Sequence, residues 1–107
     1  KLYGAIEAGG TKFVCAVGTS HDQILMRTTV RTASPEQTLS DCLDFFQKAE
    51  AKLGRISRLG IAAFGPLDLD PSSKTYGALL ATPKPSWQGI NFITYFEQHL
   101  CVPVVLG

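Results

Sequence analysis

The sequence has no long apolar run, which excludes a protein anchored by a transmembrane helix. Such a helix needs about 18 uninterrupted apolar residues, and no run of this kind occurs in the chain. The first residues also lack the basic and apolar pattern of a signal peptide. Secretion is therefore unsupported and no membrane partner is expected, and three widely spaced cysteines predict reduced thiols in a cytoplasmic protein.

An excess of charge of one sign is also missing. Lys and Arg number 10, Asp and Glu number 9, and the formal net charge is +1. Because a nucleic-acid interface needs a basic patch and these lysines and arginines are spread out, no nucleic-acid partner is expected. Hydrophobic residues make up 45% of the 107 residues, which argues against disorder and suffices for one core.

Cysteine is scarce, and its spacing excludes two further classes. Cys15, Cys42 and Cys101 are far apart and form no CxxC motif, so neither a disulfide scaffold nor a zinc site is expected here. Cys15 lies in an apolar run and is interpreted as a small buried hydrophobic residue. His21 and His99 have no neighbouring ligand residue and are interpreted as surface histidines.

Apolar runs and turn residues predict three strands, a helix, a strand, a loop with a possible short strand, a helix and a final strand. The predicted strands cover residues 2–8, 13–18, 23–32, 58–64 and 102–106. Ser34 is a good N-cap for the first helix, Gly54 a natural stop, and the second helix is expected to begin near Asn91. This order predicts an α/β fold, a mixed sheet with helices on its faces. Because the chain lacks an initiator Met and its last strand has no following loop, we expect a piece of a larger protein.

The most informative segment is the glycine-rich turn after the first strand, Gly9-Gly10-Thr11-Lys12, which Glu7 precedes. Two glycines let backbone N–H groups approach an anion closely, the threonine can donate a hydrogen bond, and the lysine can neutralise phosphate charge. Glu7 is suited to hold Mg²⁺ through water. The same residues also suit a plain hairpin turn with polar tips, and composition alone leaves both interpretations open.

Three segments together resemble the ROK (repressor, ORF, kinase) family of sugar kinases, and within it the fructokinase branch. They are residues 7–18, residues 60–68 with Gly65-Pro66-Leu67-Asp68, and residues 76–87 with Thr82-Pro83-Lys84. The resemblance implies an actin-like, ribonuclease-H-type ATPase fold, of which residues 1–107 would be an N-terminal lobe truncated at its C-terminal end. It implies ATP-dependent phosphorylation of a hexose, with fructose as the expected sugar and a homodimer as the expected full-length assembly.

The same resemblance assigns roles to individual residues. The ATP phosphates would be lined by Gly9, Gly10, Thr11 and Lys12, with Glu7, where many relatives have Asp, associated with Mg²⁺. The residues that would border or shape the sugar site are Gly65, Pro66, Asp68, Thr82, Pro83, Lys84 and Trp87. The family's catalytic Asp and its zinc motif would lie beyond Gly107, so no catalytic residue is assigned and Zn²⁺ is expected only in that further part.

Several alternatives stay open. The chain is also similar to sugar-responsive ROK transcriptional regulators, although their phosphate motif is often degraded and here it is intact. A chaperone-type ATPase of the same fold is a third candidate. Asp68 and Asp70 suit either a functional carboxylate pair or a solvated loop, and Trp87 suits either sugar stacking or core packing. The hexose and the phosphorylated hydroxyl remain undetermined.

Overall fold

The computed structural model describes residues 1–80, 82 and 84–106, and this part of the chain contains one mixed β-sheet. The strands are β1 (Leu2–Ala8), β2 (Lys12–Ser20), β3 (Gln23–Arg31), β4 (Ile56–Ala63) and β5 (Val104–Leu106). The helices are α1 (Pro35–Leu53) and α2 (Phe92–Leu100), and a 3₁₀ turn covers Pro85–Trp87. The strand order is β3-β2-β1-β4-β5, antiparallel from β3 to β1 and parallel from β1 to β5. The predicted mixed sheet is confirmed.

Helix α1 begins and ends where local signals predict. The Ser34 side chain accepts a hydrogen bond from the Gln37 backbone N–H, Pro35 occupies the first turn, and Gly54 ends the helix at a φ of 107°. That φ favours glycine, because other side chains are strained there. The Gln37 side chain donates to Asp41 and does not accept from the Ser34 N–H, so only half of a capping box forms. Asn91 caps α2 in the same way, through the N–H of Thr94.

Both helices pack on one face of the sheet, where alternate strand residues form the core. Phe46 of α1 and Phe96 of α2 meet edge to face at 6.3 Å between ring centroids. Cys15 and Cys42 are buried free thiols in this core. A hydrogen bond with Cys15, reinforced by burial, raises the pKa of the Cys42 thiol above its ordinary value. Both side chains are fully buried, which agrees with the interpretation of Cys15 as a small buried hydrophobic residue.

The opposite face of the sheet carries small side chains and is covered by no helix of the described residues. Ala5, Ala16, Gly60 and Ala62 line a depression of about 440 Å³, and Glu7 lies among its lining residues. The lining is mainly apolar, and Glu7 is its charged side chain.

Four of the five strands have bounds that differ from the prediction. β2 is longer, at Lys12–Ser20, and β3 ends one residue earlier, at Arg31. β4 begins at Ile56, because Ile56 pairs with Leu2 across a bulge, and it ends at Ala63, one residue earlier than expected. β5 begins at Val104, since Pro103 has no N–H to donate and only its carbonyl joins the sheet by accepting from Leu59 N–H. No helix in the described part is both long and apolar enough to cross a membrane.

Candidate phosphate and sugar site at one edge of the sheet

The parallel strands bring three segments to one edge of the sheet. Ala8, the last residue of β1, pairs with Ala63, the last residue of β4, so the segments after both strands leave side by side. Leu106 of β5 pairs with Ile61 in the same direction, so the carboxyl end of β5 lies at this edge too. In open α/β sheets, ligands bind at the carboxyl ends of the strands, and this edge is therefore the candidate site.

The turn between β1 and β2 is held by hydrogen bonds from within and from β3. The Gly9 N–H donates to the Lys12 carbonyl at 2.9 Å. A Cβ at Gly9 would lie 2.6 Å from that carbonyl oxygen, so only glycine fits without a backbone shift. From the end of β3, the Thr32 hydroxyl donates to the Gly9 carbonyl at 2.8 Å, and the Thr32 N–H donates to the Thr11 carbonyl at 2.9 Å. The turn is therefore held in one conformation.

This turn offers backbone donors that the fold does not use. Neither the Gly10 N–H nor the Thr11 N–H donates a hydrogen bond to another described residue. Both lie between the two strand ends, in the segment that the neighbouring hydrogen bonds hold still. A hairpin turn leaves its two central N–H groups unpaired, and in a rigid glycine turn such groups are available to phosphate oxygens.

The electrostatics of the turn also fit an anion. Lys12 of β2 and Arg31 of β3 are direct partners in the antiparallel register, and both are exposed. Like charges placed opposite each other destabilise a sheet. Among the described residues the ion pair within 4.0 Å is Arg55–Glu50, and neither cation of the turn takes part in it. A bound polyanion would offset the repulsion between Lys12 and Arg31.

Trp87 anchors the 3₁₀ turn of Pro85–Trp87, with Lys84 before it, to the core. Its side chain is 0% exposed, and its indole N–H donates to the Ala33 carbonyl at 3.1 Å. Its ring lies 5.3 Å from the Phe13 ring and stacks on Phe92. The core-packing alternative for Trp87 is therefore correct, and direct stacking on a sugar is excluded because no ring face is open.

Lys84 belongs to the same anchored loop and reaches the glycine turn. A Cβ built at Gly10 would lie 3.9 Å from the Lys84 Cε. The Lys84 N–H donates to the Thr82 hydroxyl at 3.2 Å, and its carbonyl accepts from the Trp87 N–H at 3.0 Å. Two segments with different expected ligands, phosphate and sugar, thus meet at this point. Pro83, the remaining predicted sugar residue of this loop, lies outside the described residues.

Asp68 orders the loop that follows β4. Its Oδ2 accepts hydrogen bonds from the Ser73 hydroxyl at 2.5 Å and the Thr75 hydroxyl at 2.6 Å, and its Oδ1 accepts from the Asp70 N–H at 3.1 Å. The Ser73 and Thr75 hydrogen bonds, with that of Asp70, lower the pKa of the Asp68 carboxyl below its ordinary value. The carboxylate thus orders its own loop, which includes the segment after Gly65 and Pro66, and its role beside a sugar stays a prediction.

A short antiparallel bridge holds that backbone in position. Leu67 pairs with Leu79, and the Leu80 N–H donates to the Pro66 carbonyl at 2.8 Å. The weak apolar run near residues 76–81 therefore forms isolated bridges in its described part and not a full strand.

Asp70 is exposed and accepts from the Ser72 backbone and hydroxyl, which agrees with the solvated-loop interpretation of this residue.

The described residues contain no group of three or more His, Cys, Asp or Glu side chains able to hold a metal ion. Glu7 is an exposed, single carboxylate, next to last in β1 and on the open face of the sheet. One carboxylate fits a Mg²⁺ ion that keeps most of its water and is bound mainly by phosphate oxygens.

His21 and His99 are exposed as predicted, and the His99 ring stacks on the Tyr95 ring at 4.3 Å between ring centroids.

Sequence reasoning missed Thr32 and Arg31, because no local motif marks them. Their importance comes from strand pairing, which places the end of β3 beside the glycine turn. The predicted phosphate residues and Lys84 come together, and Gly65 and Pro66 leave the same edge of the sheet. Trp87 is buried in the core, and the Asp68 carboxylate accepts hydrogen bonds from its own loop.

Comparison with solved structures defines the class of fold. A glucokinase from Parabacteroides distasonis superposes on 100% of this chain and 30% of its own, with a TM-score of 0.81 at 20% identity. A ROK family glucokinase from Streptomyces griseus, solved with glucose and AMPPNP, superposes on 99% of this chain and 32% of its own (TM-score 0.71, 24% identity). A ROK family transcriptional regulator also has a TM-score of 0.71, at 17% identity, over 99% of this chain and 27% of its own. The chain therefore has the actin-like ATPase fold.

Comparison of sequences then gives the family. The model of the ROK family matches residues 3–107, and the chain belongs to this family. A fructokinase of Streptococcus mutans is 45% identical over 103 residues, which cover 96% of this chain and 34% of the relative. A fructokinase of Zymomonas mobilis is 41% identical over 105 residues, which cover 97% of this chain and 35% of the relative. The chain thus spans about a third of the length of the curated relatives it matches.

Proposed function

We propose that residues 1–107 are the N-terminal lobe segment of an ATP-dependent hexose kinase that phosphorylates fructose. The observation that carries this proposal is the turn from Gly9 to Lys12, a rigid glycine turn with unused N–H donors. The fructokinase relatives support fructose as the sugar, and the glucokinase solved with AMPPNP supports a nucleotide donor. We expect a cytoplasmic homodimer as the full-length form.

In this proposal the chain contributes position and charge to phosphoryl transfer. The Gly10 and Thr11 N–H groups bind phosphate oxygens, and the Lys12 ammonium neutralises charge that builds up as the phosphoryl group moves. Thr32 keeps these donors fixed, so little reorganisation is needed when the reaction occurs. Mg²⁺, held near Glu7 through water, would supply further charge neutralisation at the phosphates. The segment of Gly65 and Pro66 would border the sugar.

The base that deprotonates the sugar hydroxyl is expected in the segment after β5. Support comes from the parallel register, which places the carboxyl end of β5 at the same edge as the glycine turn. A positioned base contributes roughly 10²- to 10⁴-fold to the rate. A zinc site, if the full-length protein has one, would also lie in that further part. The intact turn favours the kinase over the regulator, although a regulator shares the fold.

The test is a hexose panel assayed with ATP and Mg²⁺ on the full-length protein, followed by Lys12→Ala. Loss of a charged hydrogen bond to phosphate costs about 2–3 kcal/mol, which corresponds to roughly 30- to 150-fold in kcat/KM for ATP. Lys48→Ala, on the exposed side of α1, is the matched control and should behave as wild type. If no hexose is phosphorylated, the proposal of a hexose kinase is refuted. If another hexose is preferred, only the assignment of fructose as the substrate is refuted.

A further inference from the structure

We propose that Lys84 binds the phosphates of ATP and not the sugar. This inference rests on the proposed function, because it assumes that the glycine turn holds phosphate. It reverses the role that the resemblance assigns to the loop of residues 82–87. If it is correct, a residue far along the chain from Lys12 completes the phosphate site.

The first step is proximity. The Lys84 Cε lies 3.9 Å from the position that a Cβ at Gly10 would occupy, and Gly10 carries one of the two unused N–H donors. The ammonium nitrogen of Lys84 is bonded to this Cε, so the positive charge also lies close to the glycine turn. Lys84 is half-buried. Its stem therefore packs against protein near the turn and does not extend freely into solvent.

The second step is that the loop is fixed. Lys84 is three residues before Trp87 in one 3₁₀ turn, and the Trp87 N–H donates to the Lys84 carbonyl. Because Trp87 is fully buried and packs on Phe13, the residue after Lys12, the loop and the turn share one anchor. The approach of Lys84 to Gly10 thus follows from core packing and does not depend on a mobile side chain alone.

The third step is charge. Lys12 and Arg31 already lie opposite each other, and Lys84 brings a third cation to the same turn. The ion pair of the described residues, Arg55–Glu50, includes none of the three. None of the three has a carboxylate within 4.0 Å among the described residues, and a polyanion is a ligand that could pair with all of them.

The fourth step is the chemistry of the ligands. An ammonium group has three donors, no acceptor and a full charge. A hexose is neutral and gains little from that charge, whereas a triphosphate carries several negative charges and gains much. Placed beside two backbone N–H donors, Lys84 is therefore suited to phosphate.

The experiment compares three variants of the full-length protein: Lys84→Met, which keeps the stem and removes the charge, Lys84→Arg, which keeps the charge, and the control Lys48→Met. Calorimetry measures the Kd of ATP with Mg²⁺, and steady-state assays measure the KM values of ATP and fructose. We expect Lys84→Met to raise the Kd and KM of ATP about tenfold to 100-fold, with the KM of fructose changed less than about threefold. Lys84→Arg should lie between Lys84→Met and wild type, and circular dichroism should show the same fold in all.

Two results would overturn the inference. One is an ATP Kd for Lys84→Met equal to that of Lys48→Met. The other is a raised KM for fructose with unchanged ATP binding, which would assign Lys84 to the sugar. If the wild-type protein phosphorylated no hexose, the proposed function would fail, and the ATP Kd values would still decide the role of Lys84.

Discussion

The hydroxyl of Thr32 is the most direct test of how the fold controls the glycine turn. Thr32→Val has the same shape but removes the hydrogen bond of 2.8 Å to the Gly9 carbonyl. The backbone hydrogen bond from the Thr32 N–H to Thr11 remains, so the strand pairing is kept. The substitution therefore isolates one contact between β3 and the turn.

The magnitude follows from the kind of hydrogen bond that is lost. It joins two neutral groups at a partly buried position, and its loss should lower the free energy of unfolding by about 1 kcal/mol. If holding the Gly10 and Thr11 N–H groups in place contributes the same free energy to ATP binding, its loss raises the Kd of ATP about fivefold. Urea unfolding followed by circular dichroism measures the first effect, and calorimetric titration with ATP measures the second.

Thr29→Val is the matched control, because Thr29 is an exposed residue of the same strand and makes no side-chain hydrogen bond with another described residue. Thr32→Ser, which retains the hydroxyl, should recover ATP binding. The reasoning would be refuted if Thr32→Val and Thr29→Val unfolded at the same urea concentration and bound ATP equally well.

Three further changes test other parts of the structure. Gly9→Ala places a Cβ 2.6 Å from the Lys12 carbonyl oxygen and should lower the free energy of unfolding by about 1–3 kcal/mol. Gly10→Ala is the control in urea unfolding, because a Cβ at Gly10 makes only an ordinary van der Waals contact. Equal urea midpoints for the two variants would contradict the predicted clash at Gly9. Trp87→Ala should cost about 3–5 kcal/mol in thermal unfolding, and Trp87→Phe less; a wild-type Tm for Trp87→Ala would show that the loop is not anchored by this ring. In the folded protein the pKa of Asp68 is lower than in the unfolded chain. The ionised Asp68 carboxylate therefore stabilises the fold at a pH above its unfolded pKa, and this stabilisation is lost as the pH falls through its folded pKa. The Tm difference between wild type and Asp68→Asn should therefore shrink at acidic pH, and a constant difference would argue against these hydrogen bonds.

The parts of the fold that depend on neighbouring residues could be predicted from the sequence. Ser34, Gly54 and Asn91 mark helix ends because capping involves a side chain and a backbone group a few residues apart. The first hairpin likewise follows from two apolar runs joined by Gly9 and Gly10. Such local signals were enough to predict the mixed sheet and the turn at its edge.

The parts that depend on distant pairing could not be predicted. The contact of Lys84 with the turn requires the burial of Trp87 against Phe13, and the Thr32 hydrogen bond requires the register of β2 and β3. The hydrogen bonds that the Asp68 carboxylate accepts from Ser73 and Thr75 form only in the folded loop. The roles of Lys12, Gly65 and Pro66 stay predictions, because they concern ligands and not packing.

The burial of Trp87 has a practical consequence for measurements on this protein. It is the single tryptophan of the chain, so ultraviolet excitation of indole reports on one position of this segment. Its emission should be at short wavelength in the folded state and should shift to the red when water reaches the ring during unfolding. The indole ring contacts Phe13, which directly follows Lys12 of the glycine turn. We therefore expect a conformational change of the turn to alter the emission of Trp87. The isolated chain therefore contains its own fluorescent probe, placed between the hydrophobic core and the turn.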